Sequence, residues 1–220
     1  MTSDNTKVQR LARIDCCAVS DALDKLKLPG VVSGLPQLSG ARRITGRAVT
    51  MKLGVGTPKP GPVRHLGTTA VESAQPGDVI VIEQRSGVEA GSWGGILTLG
   101  AKLRGVSGVV SDGLVRDIDE ARGYDFPVFA RGCTARTARG RLVEMANNEP
   151  VMIGDTLVSG GDYVTADGSA VIFIKPENID QVLEAAEYIA AREAAMMKAL
   201  RAGRPITEVM GANYEHMLKG

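Results

Sequence analysis

Between Trp93 and Ala130 the chain switches back and forth between helical and strand chemistry, and this alternation limits the available folds more than any other feature. Trp93-Gly94-Gly95 opens a helical stretch in which Ile96, Leu97, Leu99, Gly100 and Leu103 are expected to face a core, and Gly105 stops it as a cap. Val106 to Ser111 reads as a short strand, Asp112-Gly113 as a turn, Ile118 to Arg122 as a short helix and Phe126 to Ala130 as a further strand. Consecutive strands joined through a helix pair in parallel, so an α/β layer is expected.

Around this centre, Val8, Leu11, Ala12, Ile14, Val19, Ala22 and Leu23 recur at roughly helical spacing and stop before Pro29-Gly30, which places N-terminal helices within residues 1–30. The β-branched runs Ile44 to Leu53 and Asp78 to Glu83 are strand chemistry, with Pro58 to Pro62 as a loop between them. Arg136 to Val143, Val151 to Ile153, Gly161 to Val164 and Val171 to Ile174 follow as strands, with Asp167-Gly168 as a hairpin turn. Ile179, Val182, Leu183, Ala186, Ile189, Ala190, Met197 and Leu200 then predict a long amphipathic C-terminal helix over 176–203. With no repeat, low-complexity tract or linker, residues 1–220 are expected to form one α/β domain of strands sandwiched by helices.

A chain of 220 residues buries on the order of 70% of its unfolded surface, so neither a metal nor a disulfide is needed for folding. Its 26 Lys and Arg against 25 Asp and Glu leave +1, and it has only 8 aromatic residues. It therefore lacks both the field and the stacking platforms that nucleic acid would want. Three cysteines, two of them adjacent (Cys16 and Cys17), make no disulfide framework or zinc spacing and point to a reducing compartment. The polar N-terminus and short apolar runs predict a cytoplasmic chain with no membrane partner.

Two segments could carry chemistry. In Gly91-Ser92-Trp93-Gly94-Gly95-Ile96-Leu97-Thr98 a helix N-terminus presents unpaired N–H groups, and its glycines let a carboxylate or phosphate come close. The plainer reading is a tight strand-to-helix turn. In Ser111-Asp112-Gly113-Leu114-Val115-Arg116-Asp117, an Arg and an Asp stand past a parallel strand's carboxyl end, where ligands of α/β sheets gather. Neighbouring side chains diverge, so Arg116 is expected to take an oxyanion while Asp117 holds a divalent cation. The plainer reading is a turn in which Asp112 makes an Asx-type bond and Asp117 caps the short helix. His65 reads as a loop or interface residue, His216 is discounted as near the C-terminus, and Cys133 reads as a buried small apolar residue. Arg131, Arg136, Arg139 and Arg141 form a basic cluster that is either a solvated or interface face or a site for an acidic group.

From Asp21-Ala22-Leu23 to Ile172-Phe173-Ile174-Lys175-Pro176 the chain resembles the RraA-like family, which includes 4-hydroxy-4-methyl-2-oxoglutarate / 4-carboxy-4-hydroxy-2-oxoadipate aldolases and the regulator of ribonuclease E activity. Gly95, twenty intervening residues, Arg116-Asp117 and then Glu120 match the family's Gly/Asp-x20-Arg-Asp-x2-Glu/Asp signature. The resemblance implies a swivelling β/β/α fold, homotrimers or hexamers, and active sites between subunits. It also implies Mg²⁺ or Mn²⁺ on Asp117, and a keto or enolate oxygen neutralised by Arg116. A pyruvyl carboxylate is then held at Gly94, Gly95, Ile96 and Leu97, with backbone N–H groups of the last three as donors. A glutamate from a neighbouring subunit's C-terminal helix completes such sites, with Glu193 the best match and Glu187 a possible shift.

The expected activity is a metal-dependent lyase that cleaves 4-hydroxy-2-oxo acids to pyruvate and also decarboxylates oxaloacetate. The alternative is a protein-binding regulator of ribonuclease activity. Enolate stabilisation by a divalent cation and a guanidinium needs no Schiff-base lysine, and Lys102 is the only lysine near either segment. Aldolases of the family commonly carry an acidic residue where this chain has Gly95. Decarboxylation is therefore expected to be retained, while cleavage, which needs a base for the 4-hydroxyl proton, depends on a substitute such as Asp112 or a water on the cation.

Overall fold

The computed structural model describes residues 3–57 and 64–211. Pro58 to Pro62, expected to be a loop, lies outside those residues, as does His216.

A helix α1 (Ser3–Leu11) and a helix α2 (Cys16–Leu26) open the chain. Asp15 caps α2 by accepting a hydrogen bond from Ala18 N. Strands β1 (Val31–Val32), β2 (Gln37–Ser39) and β3 (Ile44–Gly54) precede a short helix α3 (Thr68–Ser73). The expected alternation then appears as β4 (Val79–Gln84), α4 (Gly95–Leu103), β5 (Gly108–Val115), α5 (Ile118–Gly123) and β6 (Val128–Cys133). Strands β7 (Val143–Asn147), β8 (Val151–Ile153), β9 (Thr156–Val158), β10 (Tyr163–Ala166) and β11 (Val171–Ile174) follow, then α6 (Ile179–Arg201) and α7 (Ile206–Val209).

The main sheet runs β1-β11-β10-β3-β4-β5-β6-β2, with β7 also on β3, while β8 and β9 form a separate hairpin. The four strands β3 to β6 are parallel neighbours; the other pairings are antiparallel. The eleven-residue β3 joins two regions, pairing β10 through residues 44–47 and β4 through residues 48–53. In β4 every residue is buried, and its sequence Val-Ile-Val-Ile divides between two cores. Ile80 and Ile82 pack with Trp93, Val109 and Phe126 toward the helices, whereas Val79 and Val81 pack with Phe129, Val151, Ile153 and Phe173 between the β layers. A continuous apolar run is what a strand covered on both faces requires. A third core joins α1, α2 and α6 to Tyr163, Ile172 and Ile174. The result is a mixed α/β fold in β/β/α layers, with N-terminal helices and a long C-terminal helix.

Several local expectations change. Asp112-Gly113 is not a turn, because β5 continues to Val115 and the β5–β6 register shifts between Ser111 and Leu114. That shift is a bulge, and Gly113 is needed there because a Cβ would lie 2.8 Å from the Gln84 Cβ. Residues 136–142 are not a strand; β7 starts at Val143. The C-terminal helix starts at Ile179 after a 3-10 turn over Pro176–Asn178. Cys133 is exposed at the end of β6 rather than buried. On α4 the inward residues are Gly95, Thr98 and Ala101, whereas Ile96 is 89% and Leu103 80% exposed. The helix seats on its small residues and turns Ile96, Leu99 and Leu103 outward, while Leu97 packs partly against the core as expected. Gly105 stops α4 as expected, with φ +80 and bonds from Gly105 N to Lys102 O and from Val106 N to Ala101 O. No helix among the described residues is long and apolar enough to cross a membrane.

Candidate active site

Two backbone segments run side by side at the carboxyl end of β5. Ser92 N donates to Leu114 O at 2.7 Å and Arg116 N donates to Trp93 O at 3.0 Å, which brings the glycine-rich turn against Arg116-Asp117. A Cβ on Gly91 would lie 2.9 Å from Arg116 Cγ, and one on Gly94 would lie 2.8 Å from Asp117 Oδ2. The glycines are therefore the floor over which these two side chains lie. Asp117 sits in the left-handed region (φ 56), a conformation costing about 1 kcal/mol or more that clusters at functional sites.

The helix α4 lacks a side-chain cap of its own at Gly94, and its first amide is claimed from across the site: Gly95 N donates to Asp117 Oδ2 at 3.0 Å. Asp117 thus caps α4 rather than α5. The N–H groups of Ile96 and Leu97 stay at the open helix end, where geometry and the helix dipole favour an anion. Trp93 Nε1 donates to Thr98 Oγ1 (2.9 Å), which donates to Gly94 O (3.0 Å), bracing the turn from below. Arg116 and Asp117 do not diverge: Arg116 Nε donates to Asp117 Oδ1 at 3.2 Å, because the left-handed backbone at Asp117 swings its carboxylate back toward the preceding side chain. The terminal guanidinium nitrogens are left for other partners.

These residues line a cleft of about 490 Å³. Gly94, Gly95, Ile96, Leu97, Arg116 and Asp117 meet there as the sequence suggested, joined by Arg64, His65, Leu66, Trp93, Thr137, Ala138, Arg139 and Leu142. Asp112 does not line it. Its carboxylate points to the opposite side of β5 and accepts hydrogen bonds from Arg131 Nε (2.6 Å) and Gly154 N (3.0 Å). The basic cluster disperses as well: Arg131 is on Asp112, Arg136 pairs with Glu89, Arg141 bonds Thr137 O, and only Arg139 reaches the cleft. Glu187 is fastened to Arg10 by two 2.8 Å bonds, which hold its carboxyl below the ordinary range. Glu193 faces Asp15 and Asp21, and burial together with those charges pushes its carboxyl up. Neither glutamate lines the cleft of its own chain.

His65 is the residue that sequence reasoning set aside, since nothing local ties it to segments about 30 and 50 residues away. A second surprise is Glu120. A Cβ on Gly95 would stand 1.7 Å from Glu120 Oε2, so this carboxylate fills the space that a side chain at position 95 would take.

For a divalent cation the available donors are hard carboxylate oxygens, Asp117 with Glu120 beside it. Among the described residues no three His, Cys, Asp or Glu groups converge. That donor set fits a cation of the Mg²⁺ or Mn²⁺ kind, which is commonly held by one or two carboxylates and completed by water or substrate.

The architecture has counterparts among known proteins. The chain is 25% identical over 201 residues to Protein DlpA of Legionella pneumophila, covering 91% of this chain but only about a third (32%) of DlpA. It is 29% identical to the "Putative 4-hydroxy-4-methyl-2-oxoglutarate aldolase" of Halalkalibacterium halodurans, covering 88% of each chain. Among solved structures, RraAS2 of Streptomyces coelicolor, described as an unusual member of the RNase ES inhibitor RraA protein family, superposes with a TM-score of 0.77. It shares 26% identity, over 90% of this chain and 98% of that one. The family model RraA-like (Aldolase/RraA) matches residues 16–173, a span that includes the whole glycine turn and the Arg116-Asp117 pair, and the chain belongs to the RraA-like family.

Proposed function

We propose that the protein is a divalent-cation-dependent lyase that releases pyruvate from 4-hydroxy-2-oxo acids of the 4-hydroxy-4-methyl-2-oxoglutarate type and decarboxylates oxaloacetate. One observation carries this reading: Arg116 and Asp117 lie over the Gly91–Gly95 backbone, at the open N-terminus of α4, in a single cleft. An anion site, a guanidinium and a cation-binding carboxylate are the three elements that a cation-assisted, enolate-forming reaction of a 2-oxo acid uses. In this reading the substrate carboxylate sits on the N–H groups of Ile96 and Leu97, and the Arg116 guanidinium compensates the charge growing on the 2-oxygen. Asp117 and Glu120 would hold Mg²⁺ or Mn²⁺, which supplies Lewis-acid polarisation of the keto group when bound.

Glu120 takes the place of the acidic side chain that aldolases of the family commonly carry at position 95. This supports Glu120, rather than Asp112, as the carboxylate that stands in for that side chain beside the cation, and leaves the base for the 4-hydroxyl proton to a separate group. The exposed Ile96, Leu99 and Leu103 beside the cleft support assembly into homotrimers or hexamers, in which Glu193 of a neighbouring copy would approach Asp117.

The test is pyruvate release from 4-hydroxy-4-methyl-2-oxoglutarate and from oxaloacetate by chelator-treated protein, with Mg²⁺ or Mn²⁺ added back. Metal-dependent turnover of both substrates supports the reading. Rates at the metal-only background for both, together with stoichiometric metal-independent capture of a ribonuclease, would favour the regulator suggested by the likeness to RraAS2.

A further inference from the structure

We propose that His65 is the catalytic base that takes the 4-hydroxyl proton in the cleavage reaction, an inference that rests on the lyase reading above. Breaking the C3–C4 bond of a 4-hydroxy-2-oxo acid needs that proton removed, whereas loss of carbon dioxide from oxaloacetate does not. Among the described residues lining the cleft, few groups can accept it. Arg64, Arg116 and Arg139 are permanent cations, and the carboxylates of Asp117 and of Glu120 beside it are taken by the cation in that reading. His65 is the remaining candidate.

Its hydrogen bonding sets which tautomer the neutral ring takes. His65 Nδ1 lies 2.9 Å from Leu66 O, and since a carbonyl only accepts, Nδ1 carries the hydrogen and Nε2 carries the lone pair. The backbone beneath the ring is fixed from three directions. His65 O accepts from Thr68 N (3.2 Å) and Thr68 Oγ1 (2.8 Å), and Gly67 N donates to Glu144 Oε2 (2.8 Å). Gly67 has φ +84 and stands so close to α4 that a Cβ would lie 2.9 Å from Leu97 Cδ1. The imidazole is therefore seated on a braced turn that abuts the first turn of α4, where the substrate carboxylate would bind.

In the reaction, Nε2 takes the O4 proton and the O4 electron pair forms the new C4 carbonyl. The C3–C4 pair passes to the pyruvate enolate, whose charge Arg116 faces. The imidazolium then returns the proton to C3, yielding pyruvate and a second carbonyl compound with neutral His65 restored. No oxidant or reductant is consumed.

The experiment compares His65→Gln and His65→Ala with the wild type, all Mg²⁺-loaded, on 4-hydroxy-4-methyl-2-oxoglutarate and on oxaloacetate. The expected result is a fall of about 100-fold or more in the kcat ratio of cleavage to decarboxylation, with KM for the cleavage substrate changed by less than about threefold. Added imidazole should restore part of the cleavage rate in His65→Ala, because His65 is exposed and the cleft open to solvent. A ratio that stays at the wild-type value, whether both activities persist or fall together, overturns the assignment of His65 while leaving the lyase intact. A wild type that turns over neither substrate overturns both readings.

Discussion

Replacing Asp112 by alanine should lower stability by about 3 kcal/mol. The carboxylate is 4% exposed and accepts from Arg131 Nε at 2.6 Å and from Gly154 N at 3.0 Å, with Arg85 Nε 3.8 Å away. Charge-assisted hydrogen bonds contribute roughly 1.5–3 kcal/mol each, and breaking a buried pair costs about 3–5. The lower end applies here because the group removed is the buried one: Arg131 is 41% exposed and regains water, leaving the Gly154 N–H as the main unsatisfied group. For a chain of this size about 3 kcal/mol corresponds to a Tm lower by roughly 6–12 °C. Arg131→Ala should cost at least as much, since it leaves a buried carboxylate with only the Gly154 amide and a distant Arg85. The double variant should fall short of the sum by about 2 kcal/mol. Urea unfolding and thermal melts of the four proteins measure all of this. A Tm change under about 3 °C for Asp112→Ala, or strict additivity in the double variant, would refute the account of Asp112 as the clamp that fastens the β8–β9 hairpin and β6 to the bulge of β5.

Other outcomes follow from the same geometry. Arg116→Ala should reduce pyruvate release from either substrate by 100-fold or more, with Tm shifted by only a few degrees because the side chain is partly exposed; retained turnover would mean the site lies elsewhere. Gly95→Asp should displace Glu120, whose Oε2 occupies the new Cβ position, and change the ratio of cleavage to decarboxylation; adding Glu120→Ala should relieve the crowding, and a ratio indifferent to all three proteins would contradict the role given to Glu120. Burial, reinforced by the charge of Asp167, pushes the Cys16 thiol up to about 12, whereas an unfolded thiol ionises near 8.5. Above that lower value only the unfolded state releases the proton, so stability is full below about pH 8 and declines toward pH 10; in Cys16→Ala the urea midpoint should decline less over the same range. In the native state Cys17 and Cys133 should react with a thiol reagent and Cys16 only on unfolding, so a native count of three would be inconsistent with this core.

The parts legible in the sequence were those whose chemistry is local. The Gly94-Gly95 opening of α4, the Gly105 stop and the Arg116-Asp117 pair all announce themselves within a few residues, and the regular run from Trp93 to Ala130 carried the parallel order of β5 and β6. What stayed hidden depends on contacts distant in sequence. Asp112-Gly113 has the composition of a turn, but Gly113 is there to let Gln84 approach and Asp112 to meet Arg131, 19 residues on. Tertiary packing overrode turn chemistry. The face of α4 was misjudged because periodicity assigns the largest apolar residues to the core, whereas α4, set against α3 and α5, buries Gly95, Thr98 and Ala101 and keeps only Leu97 of its expected large residues partly buried against that core. His65 reaches the cleft only because Gly67 leans on Leu97 and Glu144 holds the Gly67 amide.

The inverted packing of α4 divides the helix between two masters. Its inward side sets depth: Thr98 and Ala101 fix how near the helix lies to the core beneath it, and with it how far the amides at its start project over Arg116-Asp117. Ala101 stands six residues from Gly95, about 9 Å along the axis, yet a bulkier side chain there would tilt the helix and withdraw those amides from a molecule it never touches. Its outward side answers only to whatever covers Ile96, Leu99 and Leu103. The seating of the anion site and the identity of the neighbour are thus encoded on opposite sides of one nine-residue helix, and each can be altered without rewriting the other.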